Sequence, residues 1–164
     1  MDSIGIEIKG LKELDVALRS LGAELGAKTL RSALRDAAKP FHESMLSNAP
    51  VGKYESRIVK LRSGSTINIQ PGFTKSRVKI RASLNRKGQA TKKFSDKTAA
   101  LVRVGAFRVP YIVPLEYGTS KMPASGFIRG ALSQQDRVLS IFRERLARRI
   151  ELARKRVARN KAKK

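Results

Sequence analysis

The 164-residue chain contains no cysteine and no tryptophan, a single histidine, and only 13 acidic residues. Without cysteine it can form no disulfide framework, thiol nucleophile or thiolate metal ligand. No apolar run approaches the roughly eighteen residues that a membrane-spanning helix requires, and no charged-then-apolar leader is present. We therefore expect no membrane partner and no secretion.

Residues that could support catalysis are equally scarce. His42 lies between Phe41 and Glu43 in a predicted helix, without a second histidine or a cysteine to complete a metal site, so we interpret it as structural or solvated. The carboxylates are scattered, and the chain has no phosphate-binding glycine loop and no nucleophile elbow. We expect no enzymatic activity and no catalytic, metal-binding or cofactor-binding residues.

Positive charge is what the chain has in excess, with 36 Lys and Arg residues and a formal net charge of +23. Such a field attracts nucleic acid through counterion release, and it also attracts acidic protein surfaces or anionic membranes. The C-terminal end is especially basic, and it predicts a polyanion contact, although a solvated helix face is an equal alternative for residues 137–157. The candidate contact residues are Arg154, Lys155, Arg156, Arg159, Lys161, Lys163 and Lys164.

Hydrophobic periodicity predicts an α+β fold in one domain over residues 1–157, followed by a basic tail over residues 158–164. Period-2 alternation predicts strands near residues 4–8, 65–69, 77–82, 101–104 and 111–113. Helical spacing predicts helices near residues 11–25, 27–47 and 127–157. We expect a small, mainly antiparallel sheet packed by the two N-terminal helices and the long C-terminal helix.

Three local features refine this prediction. Pro40 lies inside the second predicted helix, where it lacks a backbone donor, so we expect a kink or break there. The Pro71-Gly72 pair predicts the turn of a hairpin between the strands on either side. The segments Lys53–Ser65 and Asn85–Lys97 are predicted loops.

The stretch from residue 111 to residue 132 contains the most specific local pattern. Tyr111 to Val113 predict a strand that the neighbouring prolines confine to a sheet edge or a strand end. Gly118 is expected to turn the chain with a positive φ. Ser125 is the expected N-cap of a helix that begins at Phe127.

The string LEYGTSKMPA at residues 115–124, followed by FIR at 127–129 and AL at 131–132, resembles a known signature. This is the Glu-aromatic-Gly-Thr, then Pro-Phe-Leu-Arg-Pro-Ala, pattern of a tail-component family in phages with long non-contractile tails. Gly126 and Gly130 stand where that family usually carries prolines, so we expect a looser entry into the helix.

Two further stretches are similar to that family: the opening IEIKGLKELDVAL and the Ala49-Pro50-Val51 motif after the second predicted helix. Members of the family are described as tail completion, tail terminator or head-to-tail joining proteins. The resemblance implies a structural virion protein, assembled in the host cytoplasm, that forms a ring at the head-proximal end of the tail. The ring is expected to be a hexamer.

The same resemblance implies the partners and the contact residues. Expected partners are further copies of the chain, the tail-tube protein, the head connector or stopper protein, and double-stranded DNA passing through the ring. The two predicted loops are candidates for the contacts. The residues expected at the assembly interface are Tyr111, Glu116, Tyr117, Gly118, Thr119, Pro123, Phe127 and Arg129.

Two alternatives stay open from the sequence. Glu116, a lone acid in a basic chain, is expected to pair with an arginine either within the fold or across a subunit boundary. The alternative function is sequence-independent nucleic-acid binding through the basic C-terminal helix and tail. That alternative accounts for the charge but not for the signature, and the chain lacks the interleaved aromatic residues of a single-strand stacking platform.

Overall fold

The computed structural model describes residues 11–21, 23–52, 55–61, 63–85 and 100–161. The helices are α1 (Leu11–Arg19), α2 (Ala23–Ala37), α3 (Lys39–Asn48), α4 (Phe73–Arg77), α5 (Ile112–Tyr117), α6 (Phe127–Gly130) and α7 (Gln135–Lys161), with a 3₁₀ turn at Ala131–Gln134. The strands are β1 (Arg57–Lys60), β2 (Thr66–Ile69), β3 (Val78–Leu84) and β4 (Ala100–Ala106). The predicted α+β class is confirmed. None of these helices is both long and apolar enough to cross a membrane.

Contacts divide the chain into two compact units. The first comprises residues 1–37, 82–102 and 139–164, and the second comprises residues 38–81 and 103–138. The expectation of one domain over residues 1–157 stays a prediction. The predicted strand near residues 4–8 lies outside the described residues.

The first unit has a core formed by helices. Ala33 of α2 and Leu146 and Ile150 of α7 are buried together. The partly buried residues around them are Leu14, Ala17, Leu18, Leu21, Leu30 and Phe142. A Cβ atom at Gly26 would lie 2.9 Å from the backbone oxygen of Leu18, so a glycine at this position lets α2 approach α1 closely.

The second unit has a core centred on Phe127, the first residue of α6. Phe127 is 1% exposed and packs with Met45 and Ala49, at the end of α3, with Val78 of β3 and with Ala131 of the 3₁₀ turn. Burying a phenylalanine side chain of this kind stabilises a fold by roughly 1.5–3 kcal/mol. Because the core includes the start of α6, it fixes the end of the segment that carries the signature.

The N-terminal helices differ from the prediction in their bounds. The helix predicted for residues 11–25 ends at Arg19, where the Ser20 hydroxyl donates to the backbone oxygen of Ala17 at 2.7 Å and competes with helix continuation. The next helix begins at Ala23, earlier than predicted. The break expected at Pro40 is confirmed, because α3 begins at residue 39 with the proline in its first turn, where no N–H is needed.

The described strands form two separate two-stranded sheets, β1 with β2 and β3 with β4. The strands predicted near residues 65–69, 77–82 and 101–104 are confirmed as β2, β3 and β4. The hairpin predicted around Pro71-Gly72 is wrong, because β2 pairs with β1 in a register that sets Arg57 opposite Ile69.

Local burial explains why no hairpin forms at this point. Gly72 has φ of 76° and precedes α4, which buries the Phe73 and Thr74 side chains instead of returning the chain into a strand. The loop predicted over Lys53–Ser65 likewise contains β1. Of the loop predicted over Asn85–Lys97, only Asn85 lies within the described residues.

The strand predicted over residues 111–113 is also wrong, because residues 112–117 form α5. Pro114 occupies the first turn of this helix, where its missing N–H costs nothing. The Leu115 N–H donates to the Tyr111 oxygen at 3.1 Å, and the Gly118 N–H donates to the Pro114 oxygen at 2.8 Å. The β-branched residues favoured a strand only weakly, and the helical hydrogen bonds override that preference.

The long C-terminal helix is confirmed, although it is built from α6, the 3₁₀ turn and α7 in succession. It continues to Lys161, four residues beyond the predicted end at residue 157. The extra residues include alanine, arginine and lysine, which have high helix propensity, so the lack of apolar residues does not end the helix. Residues 162–164 of the predicted basic tail lie outside the described residues.

Candidate functional site

The signature segment, residues 111–132, joins two helices of the second unit. Tyr111 is the N-cap residue of α5, and Glu116 lies in its last turn. An irregular stretch from residue 118 to residue 126 leads to Phe127, where α6 begins. The segment therefore consists of a short helix, a closed loop and the start of the long helical stretch.

Glu116 is buried, at 4% exposed, and its carboxylate caps α6. Oε2 accepts the Ile128 N–H at 3.0 Å, and Oε1 accepts the Arg129 N–H at 2.9 Å. These two donors belong to the first turn of α6, where backbone N–H groups have no partner within the helix. A negative charge at a helix N-terminus is further favoured by the helix dipole.

Arg129 pairs with the same glutamate. Glu116 was expected to pair with an arginine either within the fold or across a subunit boundary, and the structure has the pair within the fold. Its Nε lies 3.3 Å from Oε1, and its Nη2 donates to the Glu116 backbone oxygen at 3.2 Å. The guanidinium also lies 4.8 Å above the Tyr117 ring. Planar contact with an aromatic face and two hydrogen bonds hold this arginine in one orientation.

Gly118 has the positive φ that the sequence predicts, with φ of 79° and ψ of 179°. This extended, mirror-image region is open essentially only to glycine. A Cβ atom at this position would lie 2.7 Å from the Ala124 backbone nitrogen and 2.9 Å from the Met122 backbone oxygen. The loop therefore closes directly over this glycine.

Backbone hydrogen bonds close the loop. Thr119 and Met122 form an isolated β-bridge. The Thr119 N–H donates to the Met122 oxygen with a nitrogen-to-oxygen distance of 2.8 Å, and the Met122 N–H donates to the Thr119 oxygen at 3.2 Å. Ser125 is not the N-cap of α6, because its hydroxyl donates to the Leu115 backbone oxygen at 2.8 Å. Gly126, with φ of 59°, occupies the N-cap position, and Glu116 supplies the capping oxygens from ten residues away along the chain. The predicted cap is thus wrong because a buried carboxylate replaces it.

The remaining predicted interface residues differ in exposure. Phe127 is a core residue, so it cannot contact a partner directly. Thr119 and Pro123 are exposed, and the Thr119 hydroxyl accepts the Lys121 N–H at 3.3 Å. The structure thus brings Glu116, Tyr117 and Arg129 into direct contact and leaves the loop tip open to solvent.

Tyr111 borders a groove on the surface of the second unit. Its hydroxyl accepts a hydrogen bond from the Thr74 hydroxyl at 3.2 Å, and its ring lies 6.4 Å from the Phe73 ring. The groove has a volume of about 300 Å³, and Val51, Ile69, Leu115 and Met122 contribute apolar side chains to it. No sequence pattern predicted this groove, since its walls come from four separate parts of the chain.

α5 presents two large apolar side chains to solvent. Val113 is 63% exposed and Tyr117 is 64% exposed. Four residues apart on a helix, they lie on the same face. Their exposure was not predicted, because Val113 was expected to lie in a sheet as the last residue of the strand predicted over residues 111–113.

The predicted polyanion residues lie mainly on the exposed surface of α7. Arg154, Lys155, Arg156 and Arg159 are exposed, Lys161 is the last residue of the helix, and Lys163 and Lys164 lie outside the described residues. Lys155 lies 2.6 Å from Glu151, and its hydrogen bond and positive charge lower the pKa of that carboxyl. Among the described residues, the three arginines have no carboxylate partner.

No metal-binding arrangement occurs in the part of the chain that the structure describes, where no three His, Asp or Glu side chains cluster. His42 Nε2 lies 3.2 Å from the Val78 backbone oxygen, so the ring has a structural partner in the fold.

No family model, curated protein or solved structure matches this chain significantly. The likeness to phage tail proteins is therefore carried only by the residues of the signature and of the two shorter motifs.

The capping role of Glu116 was also not predicted from the sequence. Capping patterns are read over three or four residues, whereas Glu116 and the donors it caps are 12 and 13 residues apart. The usable signal was chemical: a lone acid followed, after a glycine-containing loop, by an arginine at a helix start. That signal predicts the ion pair with Arg129 but not the two backbone contacts.

Proposed function

We propose that the chain is a structural virion protein that forms a ring, a hexamer, at the head-proximal end of a long non-contractile phage tail. The ring ends the tail tube and joins it to the head connector or stopper protein, and double-stranded DNA passes through it. Its mechanism is binding alone, without a catalytic step. Closed symmetry stops further growth because every subunit interface is already satisfied.

One structural observation carries this proposal. The only carboxylate of the signature segment, that of Glu116, is fully engaged in capping α6, while Val113 and Tyr117 leave apolar surface uncovered on α5. A buried and satisfied acid is suited to fixing the shape of the segment. Uncovered apolar surface is typical of protein interfaces, so the segment is built to present a contact face.

The test is the mass of the purified protein in solution, at low and at high salt, with and without the tail-tube protein of the same phage. We expect a discrete ring, alone or on the tube protein, that persists at high salt because apolar contact is not screened. A monomer that ignores the tube protein under all conditions would overturn the proposal.

The second candidate function is sequence-independent binding of nucleic acid by the basic C-terminal helix. The unpaired arginines on the exposed face of α7 favour it. Deleting residues 155–164 separates the two functions, because the described side chains from 155 to 160 are all exposed and their loss leaves the core intact. The joining role predicts that ring formation and tube binding survive the deletion, whereas this second function predicts that DNA binding is lost.

A further inference from the structure

Residues 78–81 of β3 and 103–106 of β4 belong to the second unit, and there the two strands have one face toward its core and one toward solvent. On β3, Val78 is buried, whereas Lys79 and Arg81 are exposed. On β4, Val104 packs against the core, whereas Arg103 is exposed. Because side chains alternate along a strand, Gly105 shares the outward face with Arg103. We call the surface formed by Lys79, Arg81, Arg103 and Gly105 the ribbon face.

Positive charge on and around the ribbon face has no acidic counterpart. Residues 73–85 and 100–110 contain no Asp or Glu. Their basic residues are Lys75, Arg77, Lys79, Arg81, Arg103 and Arg108. Within the described part of the chain, none of these cations forms a salt bridge. The charge is therefore available to a partner.

Two of the arginines are held by aromatic rings. The Arg81 guanidinium lies 4.0 Å from the centre of the Phe107 ring, and that of Arg77 lies 4.8 Å from the centre of the Phe73 ring. Stacking of this kind restricts a long side chain before a ligand arrives, so less conformational entropy is lost on binding. It leaves the edge of the guanidinium, with its N–H donors, free to contact an anion.

Gly105, near the end of β4, adds no side chain to the ribbon face beside Arg103. A Cβ atom built there would meet nothing within 4 Å. A glycine inside a strand weakens the sheet, and it often marks a position where a ligand approaches the backbone closely. The backbone at Gly105 is therefore accessible between flanking cations.

We propose that the ribbon face binds the phosphate backbone of double-stranded DNA. Lys79 and Arg81 are two residues apart on one strand, roughly 6.8 Å. Two cations this far apart can each contact a separate phosphate of one DNA strand. A two-stranded ribbon also fits the major groove of B-form DNA, whereas the deep major groove of A-form RNA is too narrow for it.

Other polyanions fit the ribbon face less well. No large exposed apolar side chain lies in residues 73–85 or 100–110, so the face offers neither the apolar centre of a protein interface nor a group to insert into a membrane. Single-stranded nucleic acid needs open aromatic faces, and Arg81 covers the nearest one, Phe107. This DNA contact does not depend on the ring role proposed above, and it involves different residues from the C-terminal candidates.

The experiment measures binding of the full chain to a mixed-sequence DNA duplex of about 25 base pairs by fluorescence anisotropy over a range of salt concentrations. The Arg81→Gln/Arg103→Gln double variant should bind about tenfold more weakly, and its slope of log K against log salt should fall in magnitude by about 2. The Gly105→Val variant keeps the net charge, and valine is well accommodated in a strand. It should nevertheless weaken binding severalfold, because the valine side chain would fill the open space above the backbone at residue 105.

The matched control is Arg57→Gln/Lys60→Gln, which removes the same charge from exposed positions on β1 and should change the affinity less than about threefold. Equal losses in the two double variants, or a larger loss in the control, would overturn the proposal. The proposal would also be overturned if vesicles of anionic lipid, or an acidic peptide, bound the chain as tightly as the duplex does and lost affinity in the same variants. Thermal melting by circular dichroism checks folding, and Lys79→Gln at an exposed position replaces any variant that fails to fold.

Discussion

At the scale of single residues, Glu116 determines the shape of the signature segment. One buried carboxylate satisfies two backbone donors of α6 and the side chain of Arg129. Hydrogen bonds to a charged acceptor are stronger than those between neutral groups, and a buried charge must be fully paired to be tolerated. The segment therefore depends on the negative charge as well as on the size of this side chain.

We predict that Glu116→Gln lowers the free energy of unfolding by about 1–3 kcal/mol. The glutamine amide keeps one acceptor oxygen, but its NH₂ group faces the backbone N–H of Ile128 or Arg129 and leaves it unsatisfied. Urea unfolding followed by circular dichroism measures the change. The control, Glu144→Gln at an exposed position, should stay within about 0.5 kcal/mol of the parent.

Protein concentration distinguishes this capping role from pairing across subunits. A cap within the chain gives a stability loss that is independent of concentration, since no second copy takes part. A loss seen only when the protein is assembled would contradict the intrachain cap.

Gly118 supports a second prediction at the residue scale. Gly118→Ala combines backbone strain with contact against the Ala124 and Met122 backbones, so we expect a loss of more than about 2 kcal/mol. Gly64 has φ of 82° and open space around its Cβ position, so Gly64→Ala adds positive-φ strain without crowding and should cost less, roughly 1–2 kcal/mol. Thermal melting of both variants tests this, and equal losses would show that crowding at Gly118 is absent.

At the scale of elements, α5 has one buried side and one exposed apolar side. Its buried side includes Glu116, and its outer side carries Val113 and Tyr117. Because they are four residues apart on a helix, the two apolar side chains lie on one face.

We predict that Val113→Asp prevents ring formation or tube binding while leaving the fold intact. The side chain is exposed, so stability should change by less than about 0.5 kcal/mol. A charge in the middle of an apolar contact should weaken association at least tenfold, because the carboxylate would be desolvated. Analytical ultracentrifugation with and without tube protein measures this.

Val16→Asp on α1 is the matched control, since Val16 is also largely exposed and lies outside the signature segment. It should assemble as the parent does. Equal impairment by both variants would remove α5 from the interface.

At the scale of the whole molecule, the charge of +23 opposes self-association, since identical subunits repel one another. We predict opposite salt dependences for the two proposed contacts. Between about 50 and 300 mM salt, the ring fraction should rise because repulsion is screened. Over the same range, affinity for duplex DNA should fall because releasing counterions into more concentrated salt gains less free energy.

Sedimentation at constant protein concentration measures the first trend, and anisotropy measures the second. A ring that dissociates as salt rises would show that ionic contacts, and not apolar ones, hold it. Addition of duplex DNA at low salt should promote the ring, because the polyanion neutralises the repulsion between subunits.

Several elements were predictable because their cause is local. The break at Pro40 follows from a missing backbone donor, the turn at Gly118 follows from the freedom of glycine, and the long C-terminal helix follows from apolar residues repeating at helical spacing. Pairing of an acid with an arginine was predictable from charge alone, although not its location within the chain.

Other features were not predictable because their cause lies elsewhere in the chain. Tyr111 to Val113 favour a strand locally. Residues 112–117 nevertheless form α5, and the buried carboxylate of Glu116 in that helix caps α6. The Pro71-Gly72 pair suggests a hairpin, yet burial of Phe73 produces α4, and β2 takes β1 as its partner. In each case tertiary contacts contribute more free energy than the local preference, which amounts to about 1 kcal/mol or less.

The sequence by itself determined the α+β class, the basic charge, the absence of cysteine chemistry and the turn at Gly118, because composition and local backbone preferences are properties of residues alone. Only the tertiary structure decided that Glu116 caps α6, that Val113 and Tyr117 share an exposed helix face, and that Lys79, Arg81 and Arg103 share one face of a ribbon. Some of these features require contact between residues that are distant in the chain, and others depend on whether packing selects a helix or a strand. Local residue preferences determine neither.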